Sequence, residues 1–175
     1  LIVDLILPKR DGAVFGVAIV TLLATAAAVL SFAGVNVTAS AGLLAIDGFA
    51  TFFKLVFLLS AVMTVLMSGS YLRVEGVRAG EYCFLILCAT LGMMFMASGV
   101  DLITLFIGLE TMAIAFYILA GFLKPSERSN EAAVKYFLLG AFSLGLLLYG
   151  MSLLYGATGT TSLNGIAAAL AGGER

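Results

Sequence analysis

Four ionisable residues stand within or at the edge of long apolar runs: Lys54, Asp101, Glu110 and Lys135. A charge held in hydrocarbon costs at least ~2.5 kcal/mol at the centre of a spanning helix. Burial disfavours the charged form, and a nearby opposite charge restores it. Groups balanced in this way can exchange a proton near neutral pH, so proton transfer is the chemistry these residues point to. Glu110 carries most of that expectation. It sits near the middle of DLITLFIGLETMAIAFYILAGF, the 22 residues from Asp101 to Phe122. A bilayer span needs roughly 20 residues at about 1.5 Å each, which puts Glu110 close to the midplane. Ile103, Phe106, Ile107, Ala113, Ile114 and Tyr117 share its helical face. None is basic, so a partner has to come from another helix. The competing reading is a structural carboxylate bonded to a neighbouring helix.

The other three are ambiguous in different ways. Lys135 follows Glu131 by four residues, the spacing of an i,i+4 pair. It reads either as a snorkelling lysine paired with Glu131 or as the basic neighbour of a carboxylate chain. Lys54 lies about two turns inside its span, deep enough to be costly and shallow enough to snorkel. Asp101 is most simply an N-cap. Lys54 and Asp101 are therefore secondary candidates.

These side chains need a membrane scaffold. Of 175 residues, 62% are hydrophobic and 11% charged, where soluble domains average ~25% charged. The apolar runs are continuous and about twice the ten-residue segments of an outer-membrane barrel. The fold class is therefore all-α, a polytopic transmembrane bundle. Residues 1–175 form one transmembrane domain, with spans at 12–33, 48–70, 82–98, 101–122 and 131–156. Residues 1–7 read as the stub of a preceding helix, followed by a polar loop at 8–11. Leu163, Ile166, Ala167 and Leu170 share a face of a short C-terminal interface helix. Both chain ends look cut, which predicts a piece of a longer protein.

Local signals fix several boundaries. Residues 34–46 read as a loop, and 71–81 as a charged loop. Pro125 closes the fourth span, and Ser129 or Asn130 caps the fifth. Gly12 and Gly16 form a GxxxG pattern, a weak signal in a glycine-rich chain. Gly140, Ser143, Gly145 and Gly150 predict close packing of the fifth span. Asn36-Val37-Thr38 fits a glycosylation pattern, a match too short to carry weight.

Six of the nine basic residues lie in the loops at 8–11, 71–81 and 124–130, and none in the loops at 34–47 and 99–101. By the positive-inside rule the charged loops are cytoplasmic. The Glu110 helix then runs from outside to inside, and the C-terminal helix lies outside.

Composition also excludes. There is no histidine, and the two cysteines, Cys83 and Cys88, share one apolar run. That argues against zinc, haem or iron–sulfur ligation, and the thiols read as small packing residues. No glycine-rich phosphate loop follows a strand, so nothing suggests nucleotide binding; the net charge of −1 says nothing about partners, and nucleic acid is not expected among them.

At this level of detail the chain resembles the antiporter-like membrane subunits of respiratory complex I, the NADH–quinone oxidoreductase. The resemblance rests on DLITLFIGLETMAIAFYILAGF with SNEAAVKYFLLGAFSLGLLLYGMSLLYGATG. IDGFATFFKLVFLLSAVMTVLMSGSYL, GEYCFLILCATLGMMFMASG and DLILPKRDG fit as well. It covers nearly the whole chain. L- and M-type relatives usually place a tryptophan before the helix glutamate; here Leu109 precedes Glu110, which favours the N-type subunit.

The resemblance implies a subunit nearly three times this length, with a core of two inverted five-helix repeats. This chain would hold the family's second to sixth helices and a stub of the first. Glu110 matches the family's fifth-helix glutamate and Lys135 the sixth-helix lysine of the N-type. The lysine that faces the glutamate belongs to a broken seventh helix, outside this chain. Quinone reduction elsewhere would drive proton pumping through such residues. NADH, FMN, iron–sulfur clusters and quinone would sit on other subunits, with no cofactor here. Partners would be other membrane-arm subunits and lipid, and the location a bacterial inner (plasma) membrane. The alternatives are a subunit of a multisubunit cation/proton antiporter, or a purely structural scaffold.

Overall fold

The computed structural model of the chain describes residues 11–172; the stub at 1–7, the loop residues 8–10 and the terminal three residues lie outside the described part. Six helices follow in order: α1 (Asp11–Ser31), α2 (Gly48–Glu75), α3 (Ala79–Ser98), α4 (Leu102–Ala120), α5 (Glu127–Thr158) and α6 (Leu163–Ala171). The first five are long and apolar enough to cross a membrane. A two-stranded antiparallel hairpin, β1 (Val37–Ala39) and β2 (Leu44–Ile46), joins α1 to α2.

The apolar spacing of α1 to α3 builds the core. Val14, Ala18 and Leu22 recur every four residues on α1, and Leu58, Ala61, Val65 and Leu72 line one side of α2. Ala79, Cys83 and Ile86 of α3 complete the cluster. A stripe at i, i+3 and i+4 is the face a helix turns to its neighbours. The opposite faces are apolar too, as in Val20, Leu23, Met67 and Val74, because a spanning helix meets hydrocarbon rather than water there. α5 has no buried residue along its 32 positions.

The structure corrects several boundaries. α2 continues to Glu75, absorbing part of the expected charged loop, and stops where Gly76 takes φ 66°. Such a left-handed residue is a usual helix stop, easiest for glycine. α3 starts at Ala79 rather than 82. α5 starts at Glu127, and its cap is Ser126, whose Oγ accepts from the Ser129 amide at 3.3 Å. The two expected caps act across the loop instead. The Ser129 hydroxyl donates to the Ala120 carbonyl at 2.7 Å, and the Asn130 amide donates to the Lys124 carbonyl at 3.0 Å.

The segment expected to be a loop is the hairpin, so the all-α chain carries a small sheet. Val37 pairs with Ile46, Thr38 with Ala45 and Ala39 with Leu44. Its turn runs through Ser40, Ala41 and Gly42, all at positive φ. Strands of three residues are too short to give a period-2 signal. The sheet's neighbours extend it. Val100 donates its N–H to the Leu43 carbonyl at 3.2 Å and accepts from the Leu163 N–H at 3.0 Å. Leu102 donates to the Thr161 carbonyl at 2.9 Å. The hairpin, the α3–α4 turn and the α5–α6 link are thus stitched together at one end of the bundle.

Helix packing is tightest between α3 and α4. A Cβ placed on Gly92 would lie 2.5 Å from the Gly108 carbonyl oxygen and 2.6 Å from the Met112 nitrogen. The GxxxG pair behaves otherwise: Gly12 and Gly16 have nothing within 4 Å of a built Cβ among the described residues. The same holds for Gly145 and Gly150, whereas Gly140 packs directly against Tyr117.

Candidate functional site

Glu110 sits midway along α4, two residues after the Gly108 contact. One of its carboxylate oxygens, Oε1, is buried and has no hydrogen-bond partner among the described residues. An unpaired polar atom in an apolar setting loses its solvation without compensation, typically ~1–3 kcal/mol. The face shared by Glu110 is split. Ile103, Ile107 and Ile114 are more than half exposed, while Ala113 is buried. Phe106 lines a cavity of about 350 Å³ against Leu148 and Met151 of α5. Tyr117 turns to α5 as well. Glu110 therefore lies at the margin of the α4–α5 interface, beside a side that the described residues leave open.

An aromatic cluster fixes the register of that interface. The Tyr117 ring meets Tyr136 edge-on with centroids 4.9 Å apart and Phe137 at 5.7 Å. Its hydroxyl occupies the place where a Gly140 Cβ would stand, so only glycine fits there without displacement. Gly121 meets Ala133 in the same way, at 2.8 Å. The two helices are antiparallel, with Tyr117 opposite Gly140 and Gly121 opposite Ala133. Counting back seven residues from Tyr117 brings Glu110 level with the turn around Leu147.

Lys135 is elsewhere. Its ammonium pairs with Glu131 one turn before it, and both side chains are largely exposed. By the register, Lys135 is level with the end of α4, roughly 15 Å in depth from Glu110. The two residues do not meet.

Asp101 caps α4, accepting the Ile103 amide at 2.8 Å. It does more than cap. Its second oxygen accepts the Thr161 hydroxyl at 2.5 Å, and the residue is 4% exposed. Thr161 lies 60 residues away, so nothing in the local sequence announces this bond. Lys54 lies two turns into α2 and makes no hydrogen bond or ion pair among the described residues. It borders two cavities at the hairpin end, of about 240 and 170 Å³.

Sequence reasoning missed the glycine crossing, the Thr161 bond and a second polar link, the 2.9 Å hydrogen bond between the Ser68 and Tyr82 hydroxyls. The lone glycines at 92 and 108, each inside an apolar span, were the one available signal for the first.

Residues 99–174 match the family described as NADH:quinone oxidoreductase/Mrp antiporter, TM. Similar proteins match nearly the whole chain. NADH-quinone oxidoreductase subunit N 2 of Rhizobium meliloti (strain 1021) is 45% identical over 170 residues, 97% of this chain and 36% of the relative. The Solibacter usitatus (strain Ellin6076) protein of the same description is 56% identical over 130 residues, 74% of this chain and 26% of the relative. A chain of respiratory complex I from Thermus thermophilus superposes with a TM-score of 0.75 at 33% identity, covering 92% of this chain and 36% of that one. A chain of the membrane-bound sulfane sulfur reductase, an archaeal respiratory membrane complex, gives 0.77 at 25% identity, covering 96% and 38%. The chain thus spans about a third of the length of the relatives it matches.

Proposed function

The chain belongs to the antiporter-like N-type membrane subunits of NADH–quinone oxidoreductase and matches their N-terminal part; from that premise we propose that its subunit translocates protons, driven by quinone reduction elsewhere in the complex. Glu110 is the proton-carrying group in this reading. The observation that supports it is the buried, unpartnered Oε1 in the middle of a spanning helix. A carboxylate oxygen left without a partner inside a spanning helix is available to a group brought to it from another helix, the arrangement a proton relay needs. The partner is a lysine from a helix outside this chain, approaching on the open side of α4. Lys135 is a charge partner nearer the charged loops, linked to Glu110 through other groups and not by contact.

Asp101 holds the entry of α4, a positioning role. The hairpin end faces outward and the charged loops face the cytoplasm of a bacterium, by the distribution of basic residues. Redox centres and quinone belong to other subunits, and the neighbours are membrane-arm subunits and lipid.

The test is Glu110→Gln in the assembled complex. Assembly should be preserved, with proton pumping per NADH oxidised falling sharply. Full pumping by an assembled Gln variant would sink the proposal. The matched family description also includes Mrp antiporters, which keeps a cation/proton antiporter subunit as the second reading. Sodium-dependent transport without co-purifying NADH oxidation would favour it.

A further inference from the structure

Ser98 is the last residue of α3 and is 5% exposed, yet its hydroxyl has no hydrogen-bond partner among the described residues. This is unlike its neighbours in the bundle. Thr64 and Ser68 on α2 and Thr90 on α3 each donate to the carbonyl four residues back, at 2.6 to 2.8 Å. Ser98 does not, and it lines a cavity of about 170 Å³ together with Lys54, Leu44, Leu91, Met94 and Phe95. The other polar side chain of that cavity is Lys54. A cavity of this size holds several waters at ~30 Å³ each, and a bound water needs two or more polar partners. Ser98 supplies a donor and an acceptor, and Lys54 supplies donors.

We propose that this cavity between α2 and α3, roofed by Leu44 of the hairpin, is a water site held by Lys54 and Ser98 and open to the aqueous phase on the hairpin face. The bound water satisfies the Ser98 hydroxyl and keeps the Lys54 ammonium solvated two turns inside its span. Leu91 lines the cavity from α3, one residue before Gly92, where α3 and α4 meet backbone to backbone.

The test is Ser98→Cys in the full-length subunit of the membrane-embedded complex. The probe is an impermeant anionic methanethiosulfonate, read as a mass increase of this subunit. Thiolates react only where water reaches them. Val37→Cys on the exposed hairpin is the positive control and Ala115→Cys in the core the negative one. Ser98→Cys should be modified from the hairpin face, and adding Lys54→Met should slow the anionic reagent several-fold while sparing a cationic one. Reactivity as low as Ala115→Cys overturns the proposal, as does labelling only from the opposite face. Labelling that appears only after lipids are stripped puts an acyl chain in the cavity and also overturns it. A high-resolution map of the unmodified complex gives a separate check: a water peak bonded to both Ser98 Oγ and Lys54 Nζ supports the site, and continuous lipid density there refutes it.

Discussion

Gly92 and Gly108 bring the backbones of α3 and α4 into direct contact, each glycine standing where a Cβ would strike the other helix within 3 Å. The atoms in the way are backbone, so no rotamer change can make room.

Gly92→Ala and Gly108→Ala should each therefore destabilise the bundle by about 1–3 kcal/mol. Gly140→Ala is the informative comparison. Its obstacle is the Tyr117 side chain, which can swing, so its effect should be the smallest of the three. Thermal unfolding of the purified complex and its assembled yield would rank them. An order with Gly140→Ala as the worst would contradict the packing described.

Asp101 and Thr161 form a buried link between the start of α4 and the approach to α6. Asp101→Ala loses a cap, worth ~1 kcal/mol, and a charge-assisted hydrogen bond, worth ~1.5–3 kcal/mol. Thr161→Val loses the second alone. A double-mutant cycle should give a coupling of at least ~1 kcal/mol, and additive losses would mean that the pair does not interact.

Lys135 and Glu131 pair on an exposed face, where an ion pair contributes less than ~1 kcal/mol. Lys135→Ala should leave assembly and thermal stability nearly unchanged. A fall in pumping at normal stability would then assign the lysine to charge movement. Unchanged pumping would leave it as a surface residue.

The five spans were legible because length and apolar run suffice to recognise a bilayer helix. The Asp101 cap was legible for a similar reason, its partner being two residues away. What escaped depended on distant or short-range geometry. Thr161 joins Asp101 across 60 residues, and Val100 bridges the hairpin and α6 through backbone atoms that no residue type encodes. The Gly12–Gly16 pattern points the other way: the spacing is present, and no close contact accompanies it among the described residues. Ser126 displaced Ser129 and Asn130 as the cap because those two side chains bond to carbonyls at the end of α4 and in the following loop. Glu110 stood out from sequence alone as an ionisable group in an apolar run. Its open side became visible only once Tyr117, Phe106 and α5 were in place.

α4 is tied at both ends to the chain around α5, by Asp101 to Thr161, three residues beyond α5, and by Ala120 to Ser129 in its first turn. Sliding one helix along the other would have to break both bonds. Together they hold the register in which Glu110 and Lys135 differ in depth by roughly 15 Å, like marks on a ruler. In the proposed reading, charge passing between them would travel by moving side chains or by water threading the gap, since in this register the two groups do not touch.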